Sequence, residues 1–101
     1  MKPQDEKIQL LHPDPDKEAP RIDTWKYELV KNAILDIVPQ NDEGVPFKTL
    51  SDRVAEQLSA DEIKNLGSVG WYTTTVKLDL EARGLVERVP GAKPQFLIRP
   101  Q

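Results

Sequence analysis

The sequence predicts a mainly α protein with a small β-hairpin, an α+β fold in one domain. Three observations carry this: apolar residues recur at helical spacing from 22 to 83, two β-prone runs flank a Pro-Gly loop near the C-terminus, and 101 residues with 38% apolar and 31% charged side chains suit a single soluble domain.

The first 20 residues hold Pro3, Pro13, Pro15 and Pro20, five acids and the short apolar cluster Ile8, Leu10 and Leu11. Such a segment buries little surface against its ordering entropy, so residues 1–20 are expected to form a flexible acidic arm ahead of a domain spanning 21–101. From Ile22 the period becomes helical, with Leu29, Val30, Ala33, Ile34 and Ile37 on one face. Asp23 or Thr24 can cap this first helix, and Pro39 with the turn-rich stretch to Gly44 ends it, giving about 23–38. Val45-Pro46-Phe47 is short, and Pro46 restricts it to an edge strand. Thr49-Leu50-Ser51-Asp52 has capping-box spacing and opens a second helix over about 49–58; Ser59 to Glu62 repeats the signal for a short turn of helix that Gly67 ends.

Gly70 precedes a third helix, about 71–83, with Gly84 placed to close it in the left-handed conformation. Tyr72, Val76 and Leu80 share one face, while Trp71, Leu78 and Ala82 share a second, roughly opposite one. The runs 85–89 and 95–99, joined by Pro90 to Pro94, read as a hairpin. Helix, short strand, helix, helix, hairpin is the order of a winged helix-turn-helix domain, three helices plus a wing. The expected core is Leu29, Ala33, Ile37, Leu50, Val54, Leu58, Val76, Leu80, Leu85 and Phe96.

Lys26-Tyr27-Glu28, Gly70-Trp71-Tyr72 and Val76-Lys77-Leu78-Asp79-Leu80-Glu81-Ala82-Arg83-Gly84 resemble a small bacterial family of uncharacterised winged-helix proteins over roughly Ile22 to Arg99. The resemblance implies the architecture; it brings no catalytic residue and no ligand.

Two functional readings follow. A small DNA-binding regulator would point Thr73, Thr74 and Lys77 at the major groove and offer Arg88, Lys93 and Arg99 to phosphates, with duplex DNA as the partner. The charge opposes this: the net is −3, residues 1–67 carry 9 basic against 14 acidic side chains, and the balance of 5 against 3 over 68–101 is only modestly positive. The alternative is a protein-interaction or dimerisation module using Trp71, Leu78 and Ala82, on which Ile8, Leu10 and Leu11 of the arm could dock in cis or across a homodimer. Gly67-Ser68-Val69-Gly70 has the bare form of a single-strand-clamping GXXG loop, but neither central residue is basic, and a plain turn is the stronger reading.

Catalysis is not expected. His12 is the sole histidine, placed in the arm and expected to face solvent, and cysteine is absent, so no catalytic triad and no Cys/His metal set can be assembled; no metal or cofactor is implied. Absence of cysteine suits a reducing compartment, the cytoplasm by default, and no apolar run approaches the roughly 20 residues of a membrane span.

Overall fold

The computed structural model describes residues 6–41 and 43–100, so residues 1–5 of the expected arm lie outside the described residues. The elements in order are β1 (Lys7–Gln9), β2 (Arg21–Asp23), α1 (Thr24–Ile37), β3 (Val45–Pro46), a 3-10 turn (Phe47–Thr49), α2 (Leu50–Gln57), α3 (Ala60–Leu66), α4 (Val69–Ala82), β4 (Glu87–Arg88) and β5 (Phe96–Ile98). The fold is α+β: four helices and two small antiparallel sheets, one of order β1-β2 and one of order β3-β5-β4.

The core lies where α1, α2 and α4 pack on one another and on the inner face of the second sheet. Val30 and Ile34 of α1, Leu50 and Val54 of α2, Val76 and Leu80 of α4 and Leu97 of β5 are fully buried there. Of the expected core, Ala33, Ile37, Leu50, Val54, Val76 and Leu80 are buried, and Leu29, Leu58 and Phe96 are half-buried. Leu85 is a correction. It is exposed because α4 closes on Gly84 at φ 78°, and the turn after that left-handed residue delivers Val86 to the core in its place.

The N-terminal segment differs most from expectation. Instead of an unpacked arm, residues 6–23 form a two-stranded strap with Ile8 opposite Ile22 and Lys7 opposite Asp23. Ile8 and Leu10, two apart on a strand, project to one face, and Leu10 is buried in the same core cluster as Ile22 and Tyr27. Pro13 and Pro15 fall in the loop between the strands, where the missing amide hydrogens cost no ladder bond. The Leu10 amide donates to the Pro20 carbonyl at 3.1 Å, and an Asx turn in which the Asp16 amide meets Asp14 Oδ1 at 2.9 Å tightens the loop.

Helix ends follow local chemistry. Asp23 sits at the N-cap of α1 in an extended conformation, but its carboxylate is drawn to Lys7 and Lys26 rather than to the helix amides. Those lysines hold the Asp23 carboxyl below its ordinary value, the Lys7 hydrogen bond contributing most. The capping box expected at Thr49 is absent. Thr49 already has helical dihedrals, so its hydroxyl donates back to the Pro46 carbonyl at 3.0 Å. The box at Ser59 forms in full, with Glu62 N to Ser59 Oγ at 3.1 Å and Ser59 N to Glu62 Oε1 at 2.8 Å. Ser68 caps α4, accepting from the Trp71 amide at 3.1 Å, so this helix starts two residues before the sequence suggested and takes in Gly70. The Gly67–Gly70 stretch is therefore a tight α3–α4 junction and first turn, which leaves no free GXXG loop.

In the second sheet β5 is central and Pro46 lies on the edge strand, as its missing amide hydrogen requires. Gly44, at φ 75°, brings the chain so close to β5 that a Cβ there would stand 2.8 Å from the Leu97 carbonyl oxygen.

Candidate functional site

Helix α4 is held from below by polar groups that the sequence scatters from Leu11 to Arg83. Asp79 is fully buried. Its carboxylate accepts from the Leu11 amide at 2.8 Å, from Tyr27 Oη at 2.7 Å and from Arg83 Nε at 3.0 and 2.9 Å. One side chain thus joins the strap, α1 and α4. A buried carboxylate needs this density of donors, because a charge in a low-dielectric site is stable only when paired and hydrogen-bonded. Burial, reinforced by the hydrogen bond to Asp79, pushes the Tyr27 phenol well above its ordinary value, while the bond to Asp79 raises the Arg83 guanidinium.

A second buried ion pair lies on the flank of α4 facing the hairpin. Lys77 is 2% exposed. Its Nζ donates to Glu81 Oε2 and to Gln95 Oε1, each at 3.0 Å, and lies 4.5 Å above the centre of the Phe47 ring. Burial pushes the Lys77 ammonium below its ordinary value, and Glu81 opposes that shift. Glu81 also accepts from Arg88 Nε at 2.7 Å.

These two anchors decide where the expected DNA contacts lie. Thr73, expected at the groove, is fully buried between helices, and its Oγ1 has no hydrogen-bond partner among the described residues. Lys77 is turned inward and neutralised. Arg88 keeps 55% of its side chain exposed but shares the Glu81 carboxylate. Arg99 is half-buried and donates from Nε to the Val38 carbonyl at 2.7 Å, satisfying the C-terminal end of α1. Thr74 and Lys93 are exposed. The six residues do not form one basic surface: Lys77 and Arg88 converge on Glu81, Arg99 caps α1, and Lys93 shares the hairpin-loop cavity with Arg88.

The outward face of α4 is apolar. At 100° per residue Trp71, Thr75, Leu78 and Ala82 fall within about 60° of one another. Trp71 is 48% exposed, while Thr75, Leu78 and Ala82 are half-buried. The Trp71 ring is steadied by an edge-to-face contact with Tyr72, centroids 4.8 Å apart, and Lys26 lies 5.1 Å above the Tyr72 ring.

Beside Trp71 and Leu78 the strap loop raises a second wall with Leu11, Ala19 and Pro20, enclosing a groove of about 430 Å³. Leu11 is 43% exposed at its rim. The sequence-based expectation that Ile8, Leu10 and Leu11 could dock on this stripe is met at Leu11 alone, which borders the groove; Leu10 goes into the core and Ile8 packs against that core. His12 lines the same groove, half-buried, and its Nδ1 accepts from the Asp14 amide at 2.9 Å. Among the described residues no set of three or more His, Asp or Glu is placed to hold a metal ion, and no helix is long and apolar enough to cross a membrane.

Sequence reasoning missed Asp79 and the strap. An acid flanked by Leu78 and Leu80, four residues before Arg83, is nevertheless a signal for a buried i,i+4 pair.

The fold and this site define a small α+β protein with an uncharged outward helix face bordered by an N-terminal strap. The chain belongs to DUF6958, a family of unknown function whose model matches residues 7–97, so the family's extent takes in both strands of the strap and most of the hairpin. Neither the curated proteins nor the solved structures gave a match.

Proposed function

We propose that this chain is a winged-helix domain that acts as a protein-interaction module through the outward face of α4. The element order α1, β3, α2, α4, β4, β5 and the sheet order β3-β5-β4 support the winged-helix reading, with α3 as an extra turn before the recognition-helix position and residues 89–95 as the wing. The observation that carries the functional reading is the fate of Lys77. It is the only cation in α4, and it is buried against Glu81, so the helix meets solvent with Trp71, Thr74 and Leu78 and no positive charge. Affinity for duplex DNA rests on neutralising phosphates, and major-groove specificity leans on Arg or Lys at base edges. An exposed tryptophan beside a leucine-lined groove is the composition of a protein-contact anchor.

A labelled duplex of about 30 base pairs, titrated at several salt concentrations and followed by anisotropy, tests this reading. The expected result is no saturable binding near 0.15 M salt and no change when Arg88 and Lys93 become alanine. Binding whose logarithm falls linearly with log salt, and which weakens in that double variant, would return the chain to the DNA-binding reading.

A further inference from the structure

The groove between the strap loop and α4 is apolar on its walls and acidic on its rim. Of the three large apolar side chains exposed among the described residues, Leu11 and Trp71 both border it. Glu18 is the one charged residue in its lining, and no ion pair engages it among the described residues. The loop around it, residues 12–18, carries Asp14, Asp16 and Glu18 against Lys17, a net of 1 − 3 = −2 with His12 neutral.

We infer that this groove seats an apolar side chain of a basic peptide segment, with Glu18 pairing a Lys or Arg next to that side chain; the inference rests on the reading of α4 as a protein-interaction face. Charge selects this occupant over the alternatives. A second copy docked symmetrically would bring two strap loops of net −2 against each other, and a nucleic acid would bring phosphates to the same acids; both juxtapositions are repulsive. A cationic segment meets complementary potential and still covers Leu11 and Trp71. The walls are formed in advance, since the Leu11 amide is fixed by Asp79 and Trp71 by Tyr72, so little ordering opposes binding.

The test is a titration of the full-length 15N-labelled chain with acetyl-Arg-Leu-Leu-Arg-amide and, separately, acetyl-Glu-Leu-Leu-Glu-amide, followed by amide and indole shifts. The basic peptide should move Leu11, Ala19, Leu78 and the Trp71 indole with a Kd of about 1 mM, and the acidic peptide should bind at least about threefold more weakly. Glu18→Gln, an exposed substitution that leaves the core untouched, should remove most of that preference. Equal shifts from both peptides, or a preference that survives Glu18→Gln, would overturn the charge assignment while leaving the interaction face standing. Absence of shifts at the groove with either peptide would overturn the inference, and the duplex titration then decides the reading of α4 independently.

Discussion

Asp79→Ala lowers the unfolding free energy by about 2–4 kcal/mol and loosens the strap, as urea denaturation with tryptophan fluorescence should register. The magnitude follows from what the substitution leaves behind. Tyr27 Oη sits in the core with no acceptor, the Leu11 amide loses its partner, and Arg83 loses both carboxylate contacts. An unsatisfied buried donor costs about 1–3 kcal/mol, and a broken buried ion pair about 3–5 kcal/mol. The sum is discounted because 35% of the Arg83 side chain is exposed, so the guanidinium can turn to water. Tyr27→Phe in the same background should recover part of the loss, since it removes the stranded hydroxyl. An alanine variant with wild-type stability would mean that Asp79 is not the joint between strap, α1 and α4.

Glu81→Ala should cost a similar amount, about 2–4 kcal/mol at pH 7, because it leaves the Lys77 ammonium buried with only Gln95 Oε1 and the Phe47 ring. Lys77→Met should cost less than Glu81→Ala, as an apolar side chain of similar length needs no counter-charge. The pH dependence has a definite sign. Burial puts the folded-state value for Lys77 below its ordinary value of 10.5, so in the window between the two the unfolded chain holds more protons and stability rises with pH. Removing Glu81 deepens that shift and extends the window downward. The Glu81→Ala deficit measured by urea denaturation should therefore shrink between pH 7 and pH 9.5. A deficit that grows over that range would contradict the burial of a charged Lys77. The range stays below pH 10 because Tyr27 acts in the opposite sense: its raised phenol stabilises the fold fully below its ordinary value of 10 and progressively less above it.

Much of the frame was legible because it rests on periodicity and turn chemistry. Ala33 and Ile37, Val54 with Leu50, and Val76 with Leu80 keep the four-residue spacing that puts each pair on one helix face, and all six are buried. Ser59 and Glu62, Gly84, and Pro46 on an edge likewise act as their local chemistry dictates. The strap was hidden because its two strands have three residues each and are separated by a proline-containing loop, so their stability comes from burying Leu10 and Ile22 on a helical core that no local window contains. The candidate site was only half legible. Trp71 and Leu78 declare an apolar stripe, but which of Thr73, Thr74 and Lys77 faces outward depends on where α1, α2 and the hairpin press against α4. The hairpin side took Lys77, and with it the positive charge expected for DNA. The second wall of the groove comes from Leu11, Ala19 and Pro20, brought to α4 by a bond between residues 11 and 79 that sequence proximity cannot suggest.

That bond is also the most direct place to test the docked strap, since it ties the end of β1 to α4 beside the buried Leu10 and Ile22. Residue-resolved hydrogen exchange of the Leu11 amide in the full chain reports on it directly. Leu11 should be protected to about the level of the α4 amides around Val76, and that protection should fall by orders of magnitude in Asp79→Ala under conditions where α4 itself stays protected. A Leu11 amide that exchanges at the rate of an unstructured peptide in the wild-type chain would contradict the docked strap, and with it the interaction surface built on it.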